Sequence, residues 1–330
     1  MKNIVRCSTA LLFLVLFLAG PDAAKNPYLL GEYPLAKVVD GDTIQLVGLK
    51  GSVRVLFVDT EETAKGKSAE QKTKKIAESW DGYLAAKKQL AEKSGKPQKF
   101  DTPSGYDAMI WARSFFEGVK TVRLEVDNPD VTRDFFGRYL AYVLVEKSGK
   151  WLNFNIEAIR SGHSPYTTKY GRSIRFHNEF LAAQKEAEAK KVGVWNPTGQ
   201  HYPDYSARLA WWTKRGDQIE QYRSSPHQDI LFAGGSDTSY EQLKDQVGKN
   251  IKLFGLLTGL KSKEKALTFI MPFRQFREIR VDVSEKAGLN ADLLRPALDY
   301  YVYLNGVLQQ DSSGKYFLVV EKKEQLTLPK

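Results

Sequence analysis

The segment Leu35-Ala36-Lys37-Val38-Val39-Asp40-Gly41-Asp42-Thr43-Ile44-Gln45-Leu46 reads as two strands around a tight turn. Apolar and β-branched residues flank an Asp-Gly pair, the commonest hairpin dipeptide. The run from Ser52 to Val58 has the same character, so the chain opens with strands joined by tight turns. Asp40, Asp42 and Asp59 lie close in sequence to the strand ends. Hard oxygen donors gathered there suit Ca²⁺ or Mg²⁺ rather than zinc. Taken alone the string has a plainer explanation, because an aspartate in a turn usually bonds its own backbone.

Further along, Ile76, Trp80, Tyr83, Leu84 and Leu90 recur at helical spacing among lysines, which predicts an amphipathic helix over residues 69–93. The string Ser94-Gly95-Lys96-Pro97 stops it. A helix over 106–117, strands over 121–126 and 138–145, and helices over 153–161 and 173–191 follow, the last with Ile174, His177, Leu181 and Ala187 on one face. Gly193 and Pro197 close this unit. Residues 198–238 read as a connector with one helix. Beyond Gly248 come five strand-like runs, 249–260, 266–271, 279–283, 300–308 and 315–321, with a helical stretch over 290–298 between the third and fourth. Five strands with a helix after the third is the order of an OB-fold barrel.

With 330 residues, 42% hydrophobic, the chain is long enough for two cores. Its formal charge of +10 favours a polyanionic partner, nucleic acid or an anionic membrane surface. Residues 1–24 combine Lys2 and Arg6, an apolar run from Ala10 to Ala19, and small residues at Gly20, Ala23 and Ala24, the pattern of a secretory signal peptide. The run is too short for a comfortable membrane span, so a retained anchor is the weaker alternative. The single cysteine, Cys7, precedes the run and leaves with it, which excludes a thiolate mechanism in the mature chain. The four histidines show no ligand-like spacing, which argues against a zinc or histidine-based site.

Around the Asp40-Gly41-Asp42-Thr43 turn stand Arg54, then Asp59-Thr60-Glu61-Glu62-Thr63, then Asp134-Phe135-Phe136-Gly137-Arg138 with Tyr139 to Tyr142. In this set and order the chain resembles the staphylococcal nuclease family over residues 33–197, with a longer middle. The resemblance implies an α+β fold, mainly β: an OB-like five-stranded barrel with helices. A second OB-fold-like barrel is expected after it. The expected division is a signal peptide over 1–24, a nuclease-like domain over 28–197, a connector over 198–238 and an OB-fold-like domain over 239–330.

The resemblance also implies a Ca²⁺-dependent endonuclease acting on DNA and RNA. It assigns Asp42, Asp59 and the backbone carbonyl of Thr60 to the metal, with Asp40 acting through water. Glu62 becomes the general base, and Arg54 and Arg138 the phosphate contacts. Phosphodiester hydrolysis suits such a set, since it needs an activated water and neutralisation of charge on the non-bridging oxygens. Two guanidiniums supply paired donors that lysine lacks. Arg54 and Asp59 lie five residues apart and fall on opposite faces of an ideal strand, so a strand end or bulge has to bring them together.

Two departures stand out. Glu61 replaces the family's usual proline and could compete as base or aid the metal. An insertion between Ala64 and Gly105 carries the lysine-rich helix, either a solvated cover or a substrate-guiding arm. Tyr166 and Tyr170 fall where the family lines its nucleotide pocket, or are packed aromatics. In the second barrel Phe254, Phe269, Phe273, Phe276, Tyr301, Tyr303, Arg274, Arg277 and Arg280 could contact a single strand, or serve the core. The competing function is a non-catalytic nucleic-acid-binding or scaffold protein. No protein partner is expected, nor stable membrane insertion after processing.

Overall fold

The computed structural model describes residues 26–94, 97–226, 229–263 and 266–327. The expected signal peptide, with Cys7, lies outside the described residues.

Strand β1 (Leu29–Asp40) serves two neighbours in turn. Its first half pairs with β4 (Thr121–Glu125) and its second half with β2 (Thr43–Leu46), with register shifts where it bends. It starts six residues before the Leu35 at which the sequence-read strand begins and runs through Gly31 and Pro34. Pro34 is tolerated because it forms the last pair of the β4 ladder, where the strand changes partner. Strand β3 (Ser52–Val55) pairs with β2, and its parallel pairing with β5 (Tyr139–Lys147) closes a five-stranded barrel in the order β3-β2-β1-β4-β5. A short β6 (Lys150–Asn153) folds back on β5.

Inward-facing Val53, Val55, Val122, Leu124, Ala141, Val143 and Val145 are buried, as alternation on a curved sheet requires. Asn155, fully buried, accepts the Val143 N–H and donates to the Leu56 and Ala141 carbonyls, so a polar side chain completes the ladder where β3 ends. It belongs to α4 (Phe154–Arg160), which is capped by Asn153.

The predicted helix over 69–93 is two helices, α1 (Ala69–Glu78) and α2 (Trp80–Ser94), which break at Ser79, whose N–H caps Lys75. Helix α3 (Pro103–Phe115) begins at a Thr102 cap. Helix α5 (His177–Lys190) starts four residues later than expected. The N–H groups of residues 173–176 go instead to the Tyr166 hydroxyl, the Asp127 carboxylate and the Ser173 hydroxyl. Its buried face is Phe180, Ala183 and Ala187, while Ile174 and Leu181 are exposed.

Helix α6 (Tyr205–Ser224) leads to the second sheet. Strands β7 (Ile230–Phe232), β8 (Asn250–Leu256), β9 (Thr258–Lys263), β10 (Ala266–Pro272), β11 (Glu278–Val283), β12 (Tyr301–Gln310), β13 (Tyr316–Val320) and β14 (Leu326–Thr327) make it up. The order is β7-β8-β12-β13-β11-β10-β9, with β14 on β12 and a parallel β11–β13 pair. Strands β8 and β9 are consecutive halves of one run, parted at Leu257, which turns its backbone to Tyr300 and Asp299. Taken as one bent strand, they give the pairing order of the first barrel. The expected helix over 290–298 shrinks to α7 (Ala291–Leu294) and a 3₁₀ turn, because Pro296 has no N–H to extend it.

Each sheet encloses its own cluster of buried aliphatic and aromatic residues. Helix α6 bridges them. Ile219 packs with Phe254 and Tyr301, Gln218 accepts the Tyr301 N–H, and Arg215 sits among the rings of Tyr170, Trp211 and Tyr301. Among the described residues, no helix is long and apolar enough to cross a membrane.

Candidate active site

The site forms where β3 ends. After Val55 the chain leaves the ladder, and Phe57 takes a left-handed conformation at φ 62°. That reversal lets the Arg54 guanidinium reach Val58 O at 3.0 Å and Asp59 Oδ1 at 2.6 Å, the strand-end geometry the five-residue spacing demands. Thr43 pairs with Arg54 across β2 and β3, so Asp42 lies beside the same guanidinium and forms an ion pair with its Nη1. One arginine therefore joins two nearly buried carboxylates.

Asp42 is held from its other side as well. Its Oδ2 accepts the Thr60 N–H at 3.0 Å and the Thr60 hydroxyl at 3.1 Å, and its Oδ1 accepts the Thr43 hydroxyl. Asp40 stands back, accepting the Asp42 N–H at 3.3 Å. Gly41 permits this approach, since a Cβ there would meet Thr60 Cγ2 at 2.7 Å and Ala108 Cβ at 3.0 Å. Gly105, in the first turn of α3, has a similar duty, as a Cβ would lie 2.1 Å from the Glu62 carbonyl.

Two lysines absent from the sequence-based site also converge here. Lys99, just past the insertion helices, donates to Asp59 Oδ1 at 3.0 Å and to Glu62 Oε1 at 3.2 Å. Lys169 donates to Asp59 Oδ2 at 2.6 Å. Burial alone would raise the Asp59 carboxyl, but Lys169, Lys99 and Arg54 together outweigh it and hold it well below the ordinary carboxylate range. The same burial pulls Lys169 down from its ordinary value despite the facing carboxylate. Only the position of Lys169 beside Tyr170 hinted at its role; nothing local marked Lys99.

Glu61 and Glu62 point to different fates. Glu61 is buried, and its carboxylate accepts from the Thr102 hydroxyl at 2.5 Å, the Tyr202 N–H at 2.6 Å and the Tyr205 hydroxyl at 2.7 Å. Burial pushes this carboxyl up. It ties the site loop to the start of α3 and to α6, so neither competing base nor metal helper describes it. Glu62 keeps a half-open carboxylate, its side chain 41% exposed, with Lys99 its ion-pair partner among the described residues.

Arg138 precedes β5, which pairs with β3 through Val53–Tyr139 and Arg54–Leu140, so the two arginines enter from adjacent strands. Its guanidinium is fixed by Asp134 at 2.7 Å. Tyr166 sits in the barrel core, stacked on Phe180 with its hydroxyl taking the Ser173 N–H, whereas Tyr170 is 65% exposed. Of the second-sheet candidates, Phe254, Phe269, Phe273 and Tyr301 are buried and Tyr303 lies against Phe254. Arg274 is engaged with backbone carbonyls, while Arg277 and Arg280 pair with Glu241 and Asp282. Phe276 alone among those aromatics is strongly exposed.

Among the described residues, no group of three or more His, Cys, Asp or Glu side chains converges as a metal cage. The donors present are two buried carboxylates bridged by Arg54, with Lys99 and Lys169 also on Asp59 and the Val58 carbonyl nearby. A hard divalent ion that keeps much of its coordination sphere for water and substrate matches that set.

The family model for staphylococcal nuclease homologues matches residues 52–197. An uncharacterised protein of Methanocaldococcus jannaschii is 31% identical over 164 residues, spanning 49% of this chain and 70% of that protein. Endonuclease YncB of Bacillus subtilis is 28% identical over 183 residues, 55% of this chain and 69% of that protein.

Proposed function

The chain belongs to the staphylococcal nuclease homologue family, and from that premise we propose that it is an exported, Ca²⁺-dependent endonuclease hydrolysing phosphodiester bonds of DNA and RNA. The observation that supports the reading is the bridge from Arg54 to both Asp42 and Asp59, which brings one arginine and two carboxylates together at one strand end.

Asp42, Asp59 and the Thr60 carbonyl are the groups that would hold the ion, with Asp40 acting through water. When bound, the ion supplies charge for the phosphate and acidifies a water. Glu62, exposed beside these carboxylates, takes the proton from the attacking water. Arg54 and Arg138 present paired N–H donors to the phosphoryl oxygens as negative charge grows there. Tyr170 borders the site. Cleavage of the P–O5′ bond leaves a 3′-phosphate, as the resemblance implies. Export rests on the pattern of residues 1–24, and fractionation of cells expressing the whole chain tests it.

The chain lacking residues 1–24 is expected to degrade single-stranded DNA in millimolar Ca²⁺, to stop with EDTA, and to lose activity as Arg138→Ala. Persistence of cleavage in EDTA, or indifference to Arg138→Ala, would overturn the reading. A second reading, nucleic-acid binding without cleavage, is favoured by the three cations already around Asp59. Retained binding with no cleavage in any divalent metal would select it.

A further inference from the structure

The loop that carries Arg138 is held by the second sheet. Asp237 accepts the N–H groups of Thr132 and Arg133, and Arg274 reaches both Gly234 O and Arg133 O. The turn between β10 and β11 lies against this loop, with the Gln275 N–H on Asp134 O at 3.0 Å and the Phe276 N–H on Phe135 O at 2.5 Å. These contacts hold two successive residues, Gln275 at φ 56° and Phe276 at φ 61°, in the left-handed conformation that side chains with a Cβ avoid.

The result is a large ring in a strained position and 66% exposed. Phe136, 59% exposed, lies 5.9 Å from it at 79°, and Phe135 lies 5.7 Å from it. The Arg138 guanidinium sits 5.5 Å from the Phe136 ring. Folding gains little from exposed rings on a strained turn, and the proposed phosphate contact Arg138 lies beside one of them, Phe136.

We propose that Phe276, presented by the second sheet beside Phe136, is a stacking platform for an unpaired nucleobase next to the phosphate that Arg138 engages. The platform rests on the nuclease reading for the role of Arg138. A duplex keeps its base faces stacked internally, so only an unpaired base can lie on the ring, and such stacking is tolerant of sequence. The rigid backbone contacts from Asp237 and Arg274 keep the ring and Arg138 in register.

The test is equilibrium binding by fluorescence anisotropy in EDTA, using the chain without residues 1–24, a labelled single-stranded oligonucleotide and the duplex of the same sequence. Phe276→Ala is expected to weaken single-strand binding about ten-fold and to leave duplex binding unchanged. Phe276→Leu, which keeps apolar bulk without a flat face, is expected to behave like Phe276→Ala, and Phe276→Trp to bind at least as tightly as the parent. Single-strand binding unchanged in Phe276→Ala, or equal losses for single strand and duplex in both Phe276→Ala and Phe276→Leu, would overturn the proposal. Cleavage in Ca²⁺ is measured separately. A parent that binds as expected but never cuts removes the nuclease reading and leaves the platform, while a parent that cuts with Phe276 irrelevant to binding removes the platform alone.

Discussion

The ammonium of Lys169 ends 2.6 Å from the carboxylate of Asp59, a residue 110 positions away in sequence. A buried carboxylate receives there the counter-charge that a divalent ion would also seek. Lysine and metal therefore compete for one acceptor. Lys169→Met is expected to tighten Ca²⁺ binding roughly five-fold, the equivalent of about 1 kcal/mol of removed competition. Isothermal titration calorimetry reads this directly, and unchanged or weaker binding would discard the competition.

Arg54 spans two carboxylates through separate nitrogens, which a single ammonium cannot reproduce. Arg54→Lys is expected to lower turnover on single-stranded DNA by about 100-fold or more. It is also expected to cost roughly 2–4 kcal/mol in urea unfolding, because one of two nearly buried aspartates loses its partner. Near-parental turnover would remove Arg54 from the phosphate site.

The neighbouring glutamates separate cleanly by experiment. Glu62→Gln is expected to reduce turnover by about 10²–10⁴ with stability within about 0.5 kcal/mol of the parent. Glu61→Gln puts an amide donor among three donors and is expected to lose roughly 1–3 kcal/mol of stability. The reverse pattern would make Glu61 the base.

His163 packs against Trp111 at 4.6 Å, and burial lowers its pKa to about 4 from an ordinary 6.5. The fold thus favours the neutral ring. Its contribution is fully present above pH 6.5, the unfolded value, and declines as pH falls toward 4, because the unfolded chain takes up the proton first. Over that window the loss is of the order of 2 kcal/mol. His163→Phe is expected to flatten the fall in urea midpoint between pH 6.5 and pH 4, and an unaltered slope would assign the acid sensitivity elsewhere.

Particular residues show why parts of the molecule were readable in advance. Alternating Val53, Val55, Val122 and Leu124 announce strands because a half-buried sheet repeats every two residues. The Asp40–Thr43 turn announces a hairpin from local backbone chemistry. The start of α5 was not legible, since the N–H groups before it are claimed by Asp127 and Tyr166, which arrive from other parts of the chain. For the same reason Tyr166 and Tyr170 looked alike in sequence, yet one is core and the other exposed.

By itself the sequence determined most of the succession of strands and helices, and its resemblance to the staphylococcal nuclease family grouped Asp42, Asp59, Arg54 and Glu62 as one expected site. Periodicity, turn residues and motif spacing are local properties written directly in the order of side chains. The tertiary structure alone decided that Glu61 is a buried tie, that Lys99 and Lys169 crowd Asp59, and that the second sheet grips the Arg138 loop and sets Phe276 beside it. Those outcomes depend on which distant groups meet at a few ångströms in a low-dielectric setting, where burial and pairing fix the state of each charge.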